Sequence, residues 1–264
     1  MYNDFSLVLQ GPLHVLLLES IPLYKKFIDR IYISCWDSDD PILMSEIEST
    51  FQDDKNIKLL KSTPPNLDLV KKWQKDQSAN YYYQIFSTLK GLEMIDTKYT
   101  IKLRTDEIYS NLKPILDGVL KNKNMIVTSN IMTIPPIVSD HIFGGLTKSL
   151  HKSFSVLSSE LNSENGPKIS IVDGISIEKT FTNMFLHVLK SKTQITNKTS
   201  LTKSVSKKIF KHIKFIDLNE IGDYKIRWNH MEKTFTRKDH PCPSLNCGYI
   251  DLSGLSNLHI EHNY

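Results

Sequence analysis

The sequence predicts an α/β fold: a mostly parallel sheet flanked by helices, in a single domain with a C-terminal extension. Three observations lead to this prediction. Residues 5–104 contain short apolar runs of strand length, longer runs with helical spacing lie between them, and the two kinds alternate. Parallel strands need a crossover connection, usually a helix, so this alternation indicates parallel pairing with right-handed crossovers.

Four strands and three helices are predicted in this first part of the chain. The strands are 5–10, 31–36, 56–62 and 99–104, and the helices are 13–28, 42–51 and about 75–95. The third helix carries apolar residues near helical spacing from Tyr82 to Ile95, which predicts a buried side. Strand 5–10 ends at Gly11-Pro12, which is typical of a turn.

The second part of the chain continues the same domain, which is assigned to residues 1–190. Its predicted helices are 111–121, 147–160 and 176–190, and its predicted strands are 124–130 and 141–146. Residues 191–264 are assigned to an extension that packs on this domain, with a basic amphipathic helix in residues 201–214. That helix has two interpretations: it lies on an anionic membrane surface, or it is a solvated helix packed on the domain.

Composition limits the function classes. The 264 residues are 40% hydrophobic and 23% charged, which is ordinary for a globular protein. The formal net charge of +4 is too small to indicate a nucleic-acid partner, but it suits an enzyme that holds an anionic substrate. Three cysteines do not indicate a disulfide framework. Cys242 and Cys247 lack the spacing of a zinc ribbon or finger, so a loop is the prediction there.

The sequence also predicts a cytoplasmic protein. No apolar stretch approaches the roughly 20 residues that span a bilayer. The run from Phe5 to Leu18 is broken by polar residues and lacks a basic n-region, so it does not read as a signal peptide. The predicted location is therefore the cytoplasm, with peripheral attachment to the membrane if residues 201–214 bind lipid.

The segment YTIKLRTDEIY, residues 99–109, places charge where a strand ends. An apolar strand is followed by Thr105, Asp106 and Glu107, and in open α/β sheets the carboxyl ends of the strands are where ligands bind. Asp106 can hold a divalent cation, with phosphates and water as the other ligands. Arg104 can instead neutralise a phosphate by bidentate hydrogen bonding. The alternative is that these residues only cap the next turn.

Five segments in order resemble one family. They are LVLQGP (7–12), YISCW (32–36), NYYYQIFSTLKGL (80–92), YTIKLRTDE (99–107) and SDHIFGG (139–145). Together they resemble the WavE-type lipopolysaccharide-synthesis glycosyltransferases over roughly residues 5–190. One position departs from the family pattern: Tyr83 stands where the family has an arginine.

The resemblance implies a GT-A-like (Rossmann-type) fold and a hexosyltransferase activity. The reaction implied is transfer of a sugar from a nucleotide-sugar donor to a glycan or glycolipid acceptor in surface polysaccharide or lipopolysaccharide synthesis. GT-A enzymes commonly bind a divalent cation and the diphosphate through Asp-x-Asp. Here that segment is Arg104-Thr105-Asp106, so the implied Mn²⁺ or Mg²⁺ would rest on Asp106 alone.

The nucleotide-sugar is expected at the end of the first strand and beside the long helix. Gln10, Gly11 and Pro12 are the first candidates, because glycine permits close backbone approach to a ligand; the alternative is a simple tight turn. Asn80 and Gln84 share a helix face, where they either bind the nucleotide or fix the strand end. Arg104 completes the predicted nucleotide-sugar site.

An inverting transfer needs a carboxylate base to deprotonate the acceptor hydroxyl. The candidates are Glu178, at the beginning of the helix over 176–190, and Asp140, before the glycine pair of SDHIFGG. The structural alternatives are a charge that stabilises the helix dipole and a turn residue. Two other functions stay open: a catalytically silent binding or assembly module, favoured by the missing first aspartate, and a nucleotidyltransferase.

Overall fold

Strands and helices alternate along the part of the chain that the structure describes. The structure is a computed structural model, and it describes residues 1–65, 80–130, 136–162, 177–195, 202–227 and 234–236. The strands are β1 (Phe5–Gln10), β2 (Arg30–Trp36), β3 (Ile57–Ser62), β4 (Tyr99–Arg104), β5 (Glu107–Tyr109), β6 (Ile126–Ser129), β7 (Phe143–Leu146), β8 (Ile213–Ile216), β9 (Tyr224–Arg227) and β10 (Thr234–Thr236). The helices are α1 (Leu16–Tyr24), α2 (Pro41–Phe51), α3 (Asn80–Glu93), α4 (Lys113–Lys121), α5 (Thr147–Leu161), α6 (Ile177–Val188), α7 (Lys203–Ile209) and a 3₁₀ turn, Leu218–Ile221.

Seven strands form the main sheet in the order β3-β2-β1-β4-β7-β6-β8. All neighbours are parallel except β7, which runs antiparallel to both β4 and β6. The predicted α/β class, a mostly parallel sheet flanked by helices, is confirmed by this strand order. Strands β5, β9 and β10 form a second, small antiparallel sheet.

The register of β1 aligns three polar residues at the carboxyl edge of the main sheet. Gln10 lies opposite Ser34 of β2 on one side and opposite Arg104 of β4 on the other. Gln10 and Arg104 are the last residues of their strands. The segments that follow β1 and β4 therefore leave the sheet side by side.

Two hydrophobic cores cover the two faces of the sheet. Leu7 and Leu9 of β1 belong to the core that includes residues of α1, α2 and α4. The other core includes residues of α3, α5, α6 and α7. Helix α3 approaches β1 closely at Gly91, because a Cβ there would lie 2.6 Å from a methyl group of Val8. This close packing fixes the last turn of α3 on β1, and one turn earlier the Ser34 hydroxyl of β2 donates to Ser87 O of α3 at 2.7 Å.

Three features of the fold differ from the sequence predictions or extend them. The strand predicted over 141–146 is shorter and antiparallel, and it lies between β4 and β6. Helix α3 is described from Asn80, and the earlier part of the predicted helix lies outside the described residues. Strand β8, which follows the predicted domain boundary at residue 190, pairs with β6 in the main sheet.

The basic segment of the extension has its apolar side inside the protein. Ile209 and Ile213 are buried in the second core, and Val205 packs against it. Lys207 and Lys208 are exposed on the other side. Among the described residues, no helix combines the length and the apolar composition needed to cross a membrane.

Candidate functional site

The loop after β1 turns sharply over the end of β4. Gly11 has a φ of +135°, which residues with a Cβ rarely adopt, and a Cβ there would lie 2.8 Å from Thr105 Oγ1. The Thr105 hydroxyl donates to Pro12 O at 2.6 Å, and the Thr105 N–H donates to Gln10 O at 3.2 Å. Glycine is therefore favoured at position 11 both by the positive φ and by the close approach of the Thr105 hydroxyl, just after β4.

The end of β2 is tied to the same loop. Asp39 Oδ2 accepts from the N–H of Leu13 and from the N–H of Trp36, both at 3.0 Å. The Trp36 ring meets Tyr83 of α3 at a centroid distance of 5.4 Å and stacks on Phe86 at 6.2 Å. The ends of β1, β2 and β4 and the beginning of α3 thus converge at one place.

A cavity of about 180 Å³ lies at this convergence. It is lined by six residues that the sequence predicts for nucleotide-sugar or metal binding: Gln10, Gly11, Pro12, Gln84, Arg104 and Asp106. Trp36 and Tyr83 add an aromatic wall that was not predicted. Asn80 is the first residue of α3, but its side chain lies outside the described part of the chain. Ligand cavities are typically about 300–1,000 Å³, so this one suits part of a nucleotide-sugar rather than all of it.

Arg104 and Asp106 form a two-point ion pair on the cavity wall. Arg104 Nε donates to Asp106 Oδ1 and Arg104 Nη2 donates to Asp106 Oδ2, each at 3.0 Å. The two side chains are 16% and 14% exposed. Burial acts to raise the pKa of Asp106, but the Arg104 charge and hydrogen bonds outweigh it, and the pKa is lowered. Asp106 is therefore an ionised carboxylate whose two oxygens are both engaged.

Glu107 lies behind this pair and is fully buried. Its Oε2 accepts from the Tyr109 hydroxyl at 2.6 Å, and its Oε1 contacts His141 Nδ1 and lies 3.2 Å from Arg104 Nε. Burial acts to lower the pKa of His141, but the carboxylates of Glu107 and Asp140 raise it above the ordinary 6.5. His141 is thus favoured in its positively charged form.

Asp140 completes the charged network from the loop before β7. Its carboxylate lies 3.4 Å from Arg104 Nη1 and 3.4 Å from His141 Nε2, and it accepts a hydrogen bond from Gln84. Lys102 Nζ donates to the main-chain carbonyl of Asp140. Burial alone would raise the pKa of Asp140, but the charges of His141, Arg104 and Lys102 lower it to about 2. A carboxylate with so low a pKa accepts a proton poorly.

Glu178 lies in the first turn of α6 and is half-buried. One turn later the Thr182 hydroxyl donates to the main-chain carbonyl of Glu178 at 2.7 Å and accepts from the N–H of Val138 at 2.8 Å. This second bond joins α6 to the segment that carries Asp140. Glu178 is not among the residues that line the cavity.

The sequence interpretation missed the structural roles of Lys102 and Glu107. Both side chains are almost completely buried, although lysine and glutamate are seldom buried without a partner. Burial lowers the pKa of Lys102 to about 8. The available signal was a lysine inside the apolar run YTIKL, which shares its strand side with Arg104; both residues in fact contact Asp140.

The described donor set does not fit the implied divalent cation. Mg²⁺ and Mn²⁺ need several oxygen ligands, whereas both oxygens of Asp106 accept from Arg104. Among the residues that the structure describes, no three His, Cys, Asp or Glu side chains are grouped so as to hold a metal ion. The guanidinium of Arg104 also places a positive charge where a cation would have to approach.

No protein-family model matches the chain, and no characterised protein matches it in sequence. Among solved structures, it is similar to the galactosyltransferase LgtC in complex with donor and acceptor sugar analogues, at 13% identity and a TM-score of 0.42. That alignment covers 59% of this chain and 63% of LgtC, which is less than two thirds of its length.

Two further solved structures show likeness of the same degree. Glucosyl-3-phosphoglycerate synthase from Mycobacterium tuberculosis, in complex with Mn²⁺, uridine diphosphate and phosphoglyceric acid, is 8% identical with a TM-score of 0.43, covering 81% of this chain and 68% of that one. HddC from Yersinia pseudotuberculosis, complexed with GMP-PN, is 11% identical with a TM-score of 0.38, covering 57% and 79%. At such TM-scores the likeness is not informative about activity, and the fold class rests on the strand order of the chain itself.

Proposed function

We propose that the chain is a glycosyltransferase that moves a hexose from a nucleotide-sugar to a glycan or glycolipid acceptor. The observation that carries the proposal is the cavity at the carboxyl ends of β1 and β4, with Arg104 on its wall. Ligands of open α/β sheets bind at this edge, and a guanidinium matches the geometry of phosphate oxygens. We place this reaction in surface polysaccharide or lipopolysaccharide synthesis because of the ordered motifs in the sequence.

The residues of the cavity suit the parts of a nucleotide-sugar. Trp36 and Tyr83 offer aromatic surface against which a planar base packs. The glycine at position 11 lets the ligand approach the backbone. Arg104 donates to the diphosphate and so stabilises the negative charge that develops on the leaving group when the glycosidic bond to it breaks.

We propose Glu178 rather than Asp140 as the base for an inverting transfer. Asp140 is ion-paired on two sides and its pKa is about 2, so it would hold a proton from the acceptor hydroxyl weakly. Its role is then to hold Arg104 and His141 in place. Glu178 lies on the helix that is hydrogen-bonded to the Asp140 segment, through Thr182.

The test is release of nucleoside diphosphate from a panel of nucleotide-sugars, with glycan or glycolipid acceptors present and absent. We expect acceptor-stimulated release from one donor, loss of transfer in Glu178→Gln with nucleotide binding retained, and normal activity in Asp53→Asn, an exposed control carboxylate. If no donor binds or turns over under any condition while the protein remains folded, the proposal is refuted. Donor binding without turnover would favour the silent binding module. Transfer of a nucleotidyl group to a sugar phosphate would favour the nucleotidyltransferase.

A further inference from the structure

We propose that the cavity binds the diphosphate through Arg104 without a divalent cation, and that phosphate oxygens take the place of the Asp106 carboxylate on the guanidinium. The inference rests on the proposed function and concerns how the same site neutralises its ligand. The side chains present do not fit the implied metal, because both oxygens of Asp106 accept from Arg104.

The ion pair already shows which edge of Arg104 a two-oxygen anion can occupy. Nε and Nη2 each donate to a different oxygen of Asp106 at 3.0 Å, in the parallel arrangement that guanidinium groups also make with phosphate. Both side chains line the cavity. A phosphate that enters it therefore meets an edge of Arg104 that is already oriented, so the exchange of one anion for another needs no rearrangement of β4.

Asp106 is the carboxylate of this network that an incoming anion can displace from Arg104. The ion pair and hydrogen bonds described for its side chain go to Arg104, and the side chain is 14% exposed at the cavity. Glu107 is fully buried and held by Tyr109 and His141, and Asp140 is 5% exposed and held from two sides. These partners keep the other two acids in place, so an incoming anion competes with Asp106 for Arg104.

The neighbouring acids keep Arg104 oriented while the exchange takes place. Nη1 lies 3.4 Å from Asp140 Oδ2, and Nε lies 3.2 Å from Glu107 Oε1. The guanidinium thus keeps its hydrogen bond to Asp140 and its charge attraction to Glu107 when Asp106 is displaced. This arrangement reserves one edge of the guanidinium for an exchangeable anion.

The two hypotheses, replacement of Asp106 by phosphate on Arg104 and metal binding by Asp106, predict opposite effects of Asp106→Asn. If Asp106 competes with the ligand, its neutral isostere strengthens nucleoside diphosphate binding several-fold, since a charged competitor for the guanidinium is removed. If Asp106 is a metal ligand, the same change weakens binding and removes its dependence on the cation. Arg104→Lys keeps the charge but loses the two-point geometry, and we expect binding to weaken at least about tenfold.

The experiment is calorimetric titration of the full chain with the uridine, guanosine, adenosine, cytidine and thymidine diphosphates, once with a chelator and once with Mn²⁺. We expect one of them to bind equally well in both, more tightly to Asp106→Asn and more weakly to Arg104→Lys. Arg30→Lys is the matched control, because Arg30 pairs with Asp96 at the opposite end of the sheet. Circular dichroism checks the fold, and if Arg104→Lys does not fold, Asp106→Asn and the chelator titration decide.

The outcomes separate this inference from the proposed function. Binding that requires Mn²⁺ and is lost in Asp106→Asn overturns the inference and leaves a metal-dependent glycosyltransferase standing. The absence of binding by any of the five nucleotides, in chelator and in Mn²⁺, overturns both. Cation-independent binding that is indifferent to Arg104→Lys also overturns the inference, because the diphosphate would then be held elsewhere.

Discussion

Asp140→Asn tests whether the buried ion-pair network stabilises the folded protein. The side chain is 5% exposed, and its carboxylate lies within 3.4 Å of both Arg104 and His141. A folded-state pKa of about 2, against 3.8 for an ordinary aspartate, corresponds to about 2 kcal/mol of stability at neutral pH. Asparagine keeps the shape but not the charge, so we expect Asp140→Asn to lower the free energy of unfolding by about that amount.

The sign of the pH dependence makes this prediction specific. The folded pKa is lowered, so the stabilisation is present above the unfolded pKa of about 4 and is lost as pH falls toward 2. The assay is urea denaturation of wild type, Asp140→Asn and the exposed control Asp53→Asn at pH 7 and pH 3. We expect the Asp140→Asn deficit to shrink at pH 3, and the control to stay within about 0.5 kcal/mol of wild type at both. Equal stability of wild type and Asp140→Asn at pH 7, or a deficit unchanged at pH 3, would refute the reasoning.

Three further predictions address the turn, the histidine and the basic segment. Gly11→Ala should lower the free energy of unfolding by about 2–3 kcal/mol, because of strain at positive φ and displacement of the Thr105 hydroxyl. In a double-mutant cycle, the double variant Gly11→Ala/Thr105→Ala should lose less stability than the sum of the two single losses. Because the folded pKa of His141 is raised, the stability that its charged form contributes is complete below the unfolded pKa of about 6.5 and is lost as pH rises. The free energy of unfolding should therefore fall from pH 6 to pH 8 in wild type but not in His141→Asn. Parallel plots of stability against pH for the two proteins would contradict this. Binding to anionic liposomes, measured by sedimentation, should depend on charge alone, at about 1 kcal/mol per lysine. It should disappear in high salt, or when three exposed lysines are changed to glutamate. Binding that survives both changes would mean that an apolar surface inserts into the membrane. These lysines are Lys207, Lys208 and Lys211.

Much of the sheet was predictable because its strands are strongly patterned. The run FSLVLQ and the run YTIKLR became β1 and β4 with the predicted bounds, since each apolar run ends in one polar residue, Gln10 or Arg104, before a turn or charged segment. The edge at which ligands were expected also follows from the strand–helix alternation, because the carboxyl ends of parallel strands lie together. Six of the predicted binding residues line one cavity: five lie at the carboxyl ends of β1 and β4 or just after them, and Gln84 comes from α3.

The antiparallel strand β7 and the short strand β5 were not predictable in this way. Strand direction depends on the path of the connection, and the pattern of HIFGGL is the same in either direction. Strand β5 has three residues, too few for a periodic signal, and its partner β9 lies more than 100 residues later in the chain. The buried carboxylate of Glu107 contacts Arg104 and His141, and His141 lies 34 residues later in the chain, so local sequence spacing could not reveal this burial.

The position of Tyr83 bears directly on how the site balances charge. Tyr83 places a neutral aromatic ring at the cavity and packs against Trp36. A diphosphate therefore gains no charge from α3 at this position. With Lys102 donating to the Asp140 main chain and His141 held by Glu107, Arg104 is the cation of the network that reaches the cavity wall. The positive charge that meets a diphosphate in this cavity therefore comes from the end of β4 and not from position 83 of α3.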